Sequence, residues 1–150
     1  MKRFINIHIP KCGGTTFTSI LKSNFRDSFI DGRSVLSDRV FKYSAEDVSS
    51  IFRQFPYCRC FSDHKLSVEL PWDQFDITAI CFVRDPVERF LSHYFYTRQE
   101  SKTCFDVEAK SLDLKDYIEE VLHINPKQDF ANGQSYHLFG KSGAHDVIRL

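Results

Sequence analysis

Ile7-His8-Ile9-Pro10-Lys11-Cys12-Gly13-Gly14-Thr15-Thr16-Phe17 decides how this chain folds. Ahead of it and running into it, Phe4, Ile5, Ile7 and Ile9 make an apolar run of β type, which predicts a strand over residues 3–9. Behind it, residues 15–24 suit a helix. One lysine, two glycines and two threonines fill the turn between. Glycine lets a backbone bend until several N–H groups converge on one anion. The helix that opens next adds its positive end, and the lysine adds a full charge. The stretch reads as a cradle for a phosphorylated ligand; the plainer alternative is a strand-to-helix turn with Lys11 in solvent. Its residue order departs from the G-x-x-x-x-G-K-[ST] loop of ordinary ATPases and GTPases. Lys11 precedes Gly13-Gly14, and no glycine lies five residues ahead of it.

Working outward, residues 26–43 are polar and mixed, with a turn signal at Asp31-Gly32, and predict irregular chain or a short helix. Ser44 followed by Glu46 and Asp47 is a helix start leading into residues 48–55, and Pro56 ends that helix. Residues 57–61 read as a second strand, with Asp63-His64 just past it. Residues 76–83 form the clearest strand, and their continuous apolar run predicts a central parallel strand buried on both faces. Arg84-Asp85-Pro86 closes it. Asp85 is a natural N-cap, Pro86 fits the first helical position and Glu88 sits in the first turn, so a helix follows over residues 86–99. Further helices are predicted over 114–123, stopped by Asn125-Pro126, and over 127–138.

Strands alternating with helices argue for an α/β fold with a mostly parallel central sheet flanked by helices. No repeat, low-complexity segment or linker divides the chain, so residues 1–150 read as a single domain, a length that suits domains of about 100–150 residues. The loops after residues 9, 62 and 83 all follow strand ends, where ligands bind in parallel sheets, and this predicts one shared site.

Composition narrows the function. The formal net charge is zero, which argues against broad attraction to nucleic acid or a membrane surface. No stretch approaches the roughly 20 apolar residues of a membrane span, and the N-terminus lacks a signal-peptide run. Five cysteines (Cys12, Cys58, Cys60, Cys81, Cys104) suggest no disulfide framework and no zinc spacing, so reduced thiols in a cytoplasmic protein are expected. Fifteen phenylalanines point to an aromatic core.

A second chemical segment runs Phe82-Val83-Arg84-Asp85-Pro86-Val87-Glu88-Arg89-Phe90-Leu91-Ser92-His93-Tyr94. A guanidinium suits a terminal phosphate because it offers parallel donors in a fixed fork. The Ser92 hydroxyl, eight residues after Arg84, can supplement that charge. Taken alone, Arg-Asp-Pro is equally a helix cap.

Together the two segments resemble the PAPS-dependent sulfotransferases, especially the carbohydrate branch that includes heparan sulfate 2-O-sulfotransferase and its bacterial relatives. The resemblance implies a three-layer, P-loop-like fold. It also implies transfer of a sulfuryl group from 3′-phosphoadenosine 5′-phosphosulfate (PAPS) to a hydroxyl, with 3′,5′-adenosine bisphosphate (PAP) left as product and a glycan as the expected acceptor. Carried over, Lys11, Cys12, Gly13, Gly14, Thr15 and Thr16 would hold the 5′ side of the nucleotide, with Lys11 catalytic as well. Arg84 and Ser92 would hold the 3′-phosphate. No metal is expected, because a sulfuryl group carries less charge than a terminal phosphoryl group.

Related enzymes often deprotonate the acceptor with a histidine after a middle strand, which makes His64 the expected catalytic base. His8 reads as an orienting or packing residue, and Asp63 and Glu69 are further candidate bases. Phe61, Trp72, Tyr94 and Tyr96 are aromatics that could stack on a sugar. Residues 130–140 loosely resemble a family segment Asn-x-Gln-Thr-Arg-x-Leu-x-Gly, but with Ser135 and Tyr136 in place of Thr and Arg. Family catalytic domains usually continue past Ile148-Arg149-Leu150. The alternatives left open are therefore a PAPS- or PAP-binding module that is incomplete or inactive, and a nucleotide kinase with an unusual phosphate loop.

Overall fold

A computed structural model describes residues 1–32, 42–99, 103–104, 107–108, 111–124 and 133–143. They gather into two compact units, the first drawn from Met1–Val83 and Gln134–Leu150 and the second from Arg84–Gly133.

The first unit is built on a four-stranded sheet of β1 (Arg3–Ile7), β2 (Phe29–Asp31), β3 (Cys60–Asp63) and β4 (Ile77–Cys81). Every pairing is parallel and the spatial order is β2-β3-β1-β4. Its helices are α1 (Gly14–Phe25), α2 (Ala45–Gln54) and α5 (Gly133–Gly143, in this unit from Gln134 onward). This is the α/β fold with a parallel sheet and flanking helices that the alternating pattern predicts, and it agrees with the P-loop-like architecture that the resemblance implies.

Side chains alternate across a strand, so β1 shows which helix covers which face. Ile5 and Ile7 join Ile51 and Phe52 of α2 in one buried cluster, with Phe61 of β3. Arg3 points the same way, its guanidinium 4.4 Å from the Phe52 ring centre and donating to Cys58 O at 2.6 Å. The opposite face carries Phe4, whose ring meets Phe25 of α1 at 5.3 Å, and Asn6, whose amide donates to Ser62 Oγ at 2.9 Å. Thr18 of α1 approaches the same hydroxyl at 3.5 Å. The sheet therefore lies between α1 and α2.

Strand order sets the place of the site. From β1 the chain moves to one side for β2 and β3 and to the other for β4. The loop leaving β1 thus sits where the order reverses, which is where open parallel sheets bind ligands.

Several expectations are corrected. β4 lies at the edge of the described sheet and is only half-buried, whereas β1 is central. A continuous apolar run records hydrophobicity, and it does not record position in the sheet. The second strand begins later than expected, at Cys60, because Pro56 and Tyr57 are used by a turn that Cys58 N closes on Phe55 O at 2.9 Å. Among the described residues of 26–43 are the 3₁₀ turn Arg26–Ser28 and the strand β2; three residues are too few to show alternation. Their remainder, 33–41, lies outside the described residues. The core mixes aliphatic β1 residues with Phe52 and Phe61, while Phe82, Phe95 and Phe139 are exposed.

Local chemistry is as expected elsewhere. Ser44 and Asp47 form a reciprocal capping box at α2. In the second unit, α3 runs Pro86–Gln99, and the Asp85 carboxylate accepts from Val87 N and Glu88 N at 3.0 Å each. α4 (Leu114–Ile124) and α3 bury Tyr94, Tyr117 and Val121 together. Two short strands, β5 (Thr103–Cys104) and β6 (Val107–Glu108), pair antiparallel. The turn expected at Asn125-Pro126, the helix start at 127–132 and the chain end at 148–150 lie outside the described residues.

Candidate active site

The loop between β1 and α1 turns on two left-handed residues, Lys11 with φ 65° and Gly13 with φ 80°. Such a φ is uncommon for lysine and costs about 1 kcal/mol, so the chain sustains local strain where Lys11 emerges. Gly13 is the N-cap of α1 and supplies no side-chain cap, and no acid lies in the first turn. The N–H groups of Gly14, Thr15 and Thr16 are thus the helix donors that lack an intrahelical acceptor. Thr15 and Thr16 are exposed, Lys11 is half-buried and Cys12 is buried. Such a terminus favours an anion.

The two glycines do different jobs. A Cβ on Gly13 would meet nothing within 4 Å, so its requirement is the positive φ. A Cβ on Gly14 would overlap the Cδ2 and Nε2 atoms of the His8 ring. Gly14→Ala is accordingly expected to cost about 1–3 kcal/mol through overpacking. Gly13→Ala is expected to cost about 1–2 kcal/mol through backbone strain alone. Thermal unfolding of both variants, with the His8 ring followed by NMR, checks this. A Gly14→Ala protein as stable as wild type, with His8 unmoved, would contradict it.

His8 is buried beneath Gly14 and stacks on His64, with ring centres 3.9 Å apart. His64 Nδ1 lies 2.9 Å from the His8 carbonyl oxygen. A carbonyl can only accept, so Nδ1 donates, and in the neutral ring the lone pair is left on Nε2. That is the atom with which His64 could take a proton. Lys11 to Thr16, His8 and His64 therefore stand at one edge of the sheet, past the C-terminal ends of β1 and β3.

Asp63 has another task. Its carboxylate accepts from Tyr43 OH at 3.3 Å and from Lys65 N at 2.7 Å, and it is buried. Burial, then the Asp63 charge and hydrogen bond, push the Tyr43 phenol above the usual tyrosine range. A Cβ on Gly32 would fall 2.7 Å from the Asp63 Cβ, so these segments pack closely. Glu69 is exposed.

Three nearby residues escaped the reading of the sequence. Gln134 of α5 reaches the loop between β1 and α1, with Oε1 3.5 Å from Cys12 Sγ. His137, one turn later, is buried and donates from Nδ1 to Leu66 O at 2.7 Å. Lys42 Nζ donates to His64 O at 3.2 Å and lies 3.0 Å from His137 Nε2. The faint Asn-x-Gln-like segment was the signal for Gln134; its first three residues, 130–132, lie outside the described residues, as does the Tyr136 side chain. Nothing in sequence marks Lys42.

In the second unit, Arg84 is exposed and pairs with Glu88 at 3.3 Å, a surface contact worth little. Ser92 is half-buried on α3. Asp85 caps that helix, so the Arg-Asp-Pro segment has its structural role whatever Arg84 binds. Of the aromatics, Phe61 and Tyr94 are core residues, whereas Trp72 and Tyr96 are exposed.

Cys12, Cys58, Cys60 and Cys81 stand outside any disulfide. Burial pushes Cys58 up to about 11 and Cys60 to about 12, so both stay protonated at neutral pH and serve as packing residues. Among the described residues no group of three or more His, Cys, Asp or Glu could hold a metal ion, and no helix is long and apolar enough to cross a membrane.

Comparison with known proteins gives one match. The model of a family described as the sulfotransferase family covers residues 2–141, across both units. No curated protein and no solved structure matches the chain.

Proposed function

The chain belongs to the sulfotransferase family, and from that membership we propose that it moves a sulfuryl group from PAPS to a hydroxyl of a carbohydrate and releases PAP. The observation that carries this reading is the loop after β1, where left-handed backbone at Lys11 and Gly13 leads directly into the first turn of α1. His64 stands beside it with its Nδ1 committed to His8 O.

In this mechanism the acceptor oxygen attacks sulfur as its proton passes to His64 Nε2. The bond from sulfur to the bridging oxygen of the 5′-phosphate breaks, and negative charge builds on that oxygen. Lys11 and the N–H groups of residues 13–16 stabilise it there, with Cys12 closing the loop behind them. Such donors count most because they are already oriented before the bond breaks.

Arg84 and Ser92 are assigned the 3′-phosphate, supported by the Arg-Asp-Pro…Arg-Phe-x-Ser wording of their segment. Arg84→Ala is expected to weaken PAP binding roughly 10- to 100-fold, the effect of losing a charged hydrogen-bonding partner. Calorimetry that finds the affinity unchanged would remove Arg84 from the donor site.

The carbohydrate acceptor rests on the similarity to the heparan sulfate 2-O branch. A reducing compartment such as the cytoplasm agrees with cysteines that stand outside any disulfide. Single-turnover transfer of labelled sulfate from PAPS to a panel of sugars tests the reaction. Calorimetry with PAP tests the donor, and no heat at high concentration would overturn it.

A further inference from the structure

We propose that Lys42 and His137 are positioning residues that clamp the main chain of His64 from behind, so that its Nε2 is held ready for the acceptor proton. The inference rests on the reading of His64 as the base. It stands on contacts within the first unit, made by segments far apart in sequence.

His137 grips the chain after β3 twice. Its Nδ1 donates to Leu66 O at 2.7 Å, and its own carbonyl accepts from Val68 N at 3.0 Å. Lys42 reaches the residue that matters most, donating to His64 O at 3.2 Å. Beside it, Tyr43 N donates to Lys65 O at 3.1 Å. The chain of His64 to Val68 is thus tied at His64, Lys65, Leu66 and Val68 in turn.

Leu66 O can only accept, so Nδ1 of His137 carries the proton and Nε2 holds the lone pair. The Lys42 ammonium can only donate; it lies 3.0 Å from that Nε2 and 3.3 Å from Nδ1, which sets it against the ring and not along one lone pair, and its acceptor is His64 O at 3.2 Å. His137 is 1% exposed, so this polar arrangement is bought with desolvation that an apolar pair would avoid. Its geometric return is specific. Lys42 pins the His64 main chain, and His8 O fixes the ring by accepting from Nδ1 at 2.9 Å. With both ends held, the lone pair on Nε2 has one direction. A displacement of about 1 Å at a reacting group can cost about 100-fold in rate.

The test uses the ring nitrogens of His64 as reporters in the 15N-labelled full chain. In wild type, His64 is expected as one neutral tautomer with the proton on Nδ1. Lys42→Met keeps the length of the side chain and removes both the hydrogen bond to His64 O and the charge beside the His137 ring. It is expected to shift the His64 nitrogens toward the mixed tautomers of free imidazole. It should also lower kcat roughly 10- to 100-fold, with KM for the donor and PAP affinity changed by less than about twofold. His137→Asn is the second variant, its amide still able to donate near Leu66 O but no longer facing Lys42; the same signature is expected.

Folded variants with unaltered His64 signals and kcat would overturn the clamp. So would a fall in PAP affinity that matches the fall in kcat, since the two residues would then act through the donor. Averaged tautomers in wild-type His64 would overturn it without any variant. If the nitrogen signals behave as expected but wild type transfers no sulfuryl group, the clamp is upheld and the proposed reaction is what fails.

Discussion

Lys11→Ala is expected to lower turnover by about 10²- to 10³-fold, the usual cost of removing one oriented donor from developing charge. The fold should survive, because Lys11 is half-buried at a loop and the left-handed backbone at φ 65° strains alanine as it strains lysine. What is lost is an ammonium group beside a helix terminus that has neither a side-chain cap nor an acid in its first turn. Donor affinity should also fall, since the same group attracts the phosphosulfate before reaction. The loss in kcat should exceed the loss in affinity, because charge on the bridging oxygen grows only as the bond to sulfur breaks. A purified Lys11→Ala protein with wild-type transfer rates would show that the assigned role is wrong.

For His64→Ala the expected result is a fall in turnover of roughly 10²- to 10⁴-fold, with PAP affinity nearly intact. The reason lies in the hydrogen bonding. Nδ1 is held by His8 O at 2.9 Å, so the ring presents Nε2 as its basic atom. His8 packs its ring against Gly14, where a Cβ would overlap it, and that contact remains in the variant. Rate and affinity must be measured on the same folded variant. A large loss of PAP affinity, with turnover of the bound donor preserved, would make His64 a structural support of the loop.

Much of the fold could be read directly from residues. The apolar run before Pro10, the cap at Ser44 with Asp47, and Asp85-Pro86 each specify local structure through short-range chemistry. The elements they predict lie close to where they are observed: β1, α1, α2 and α3. Strand order was not readable, which is why β4 was expected at the centre and is found at the edge. The apolar pattern of a strand says which side chains avoid water, and neighbouring strands are chosen by contacts remote in sequence. β2 was missed for a related reason, its three residues being held by pairing with β3.

The candidate site divides in the same way. Lys11, the two glycines and the two threonines suggest an anion-binding turn by composition and spacing. Gly13 and Gly14 look equivalent in sequence. Only the folded chain separates them, one needed for its φ and the other for the space the His8 ring occupies. Asp63 and His64 looked like rival bases. Packing separates them as well, because the Asp63 carboxylate faces Tyr43 and Lys65 N, while His64 keeps Nε2 as its lone pair.

By itself the amino-acid sequence determined the local turns and caps, the alternation that makes an α/β fold, and the charge and small residues of the loop after β1. Each depends on atoms within a few residues of one another. The tertiary structure alone decided which strand is central, which histidine nitrogen carries the proton, and that Lys42 and His137 meet behind His64. Those outcomes depend on segments 20 to 95 residues apart being brought within hydrogen-bonding distance, and no local pattern encodes such a meeting.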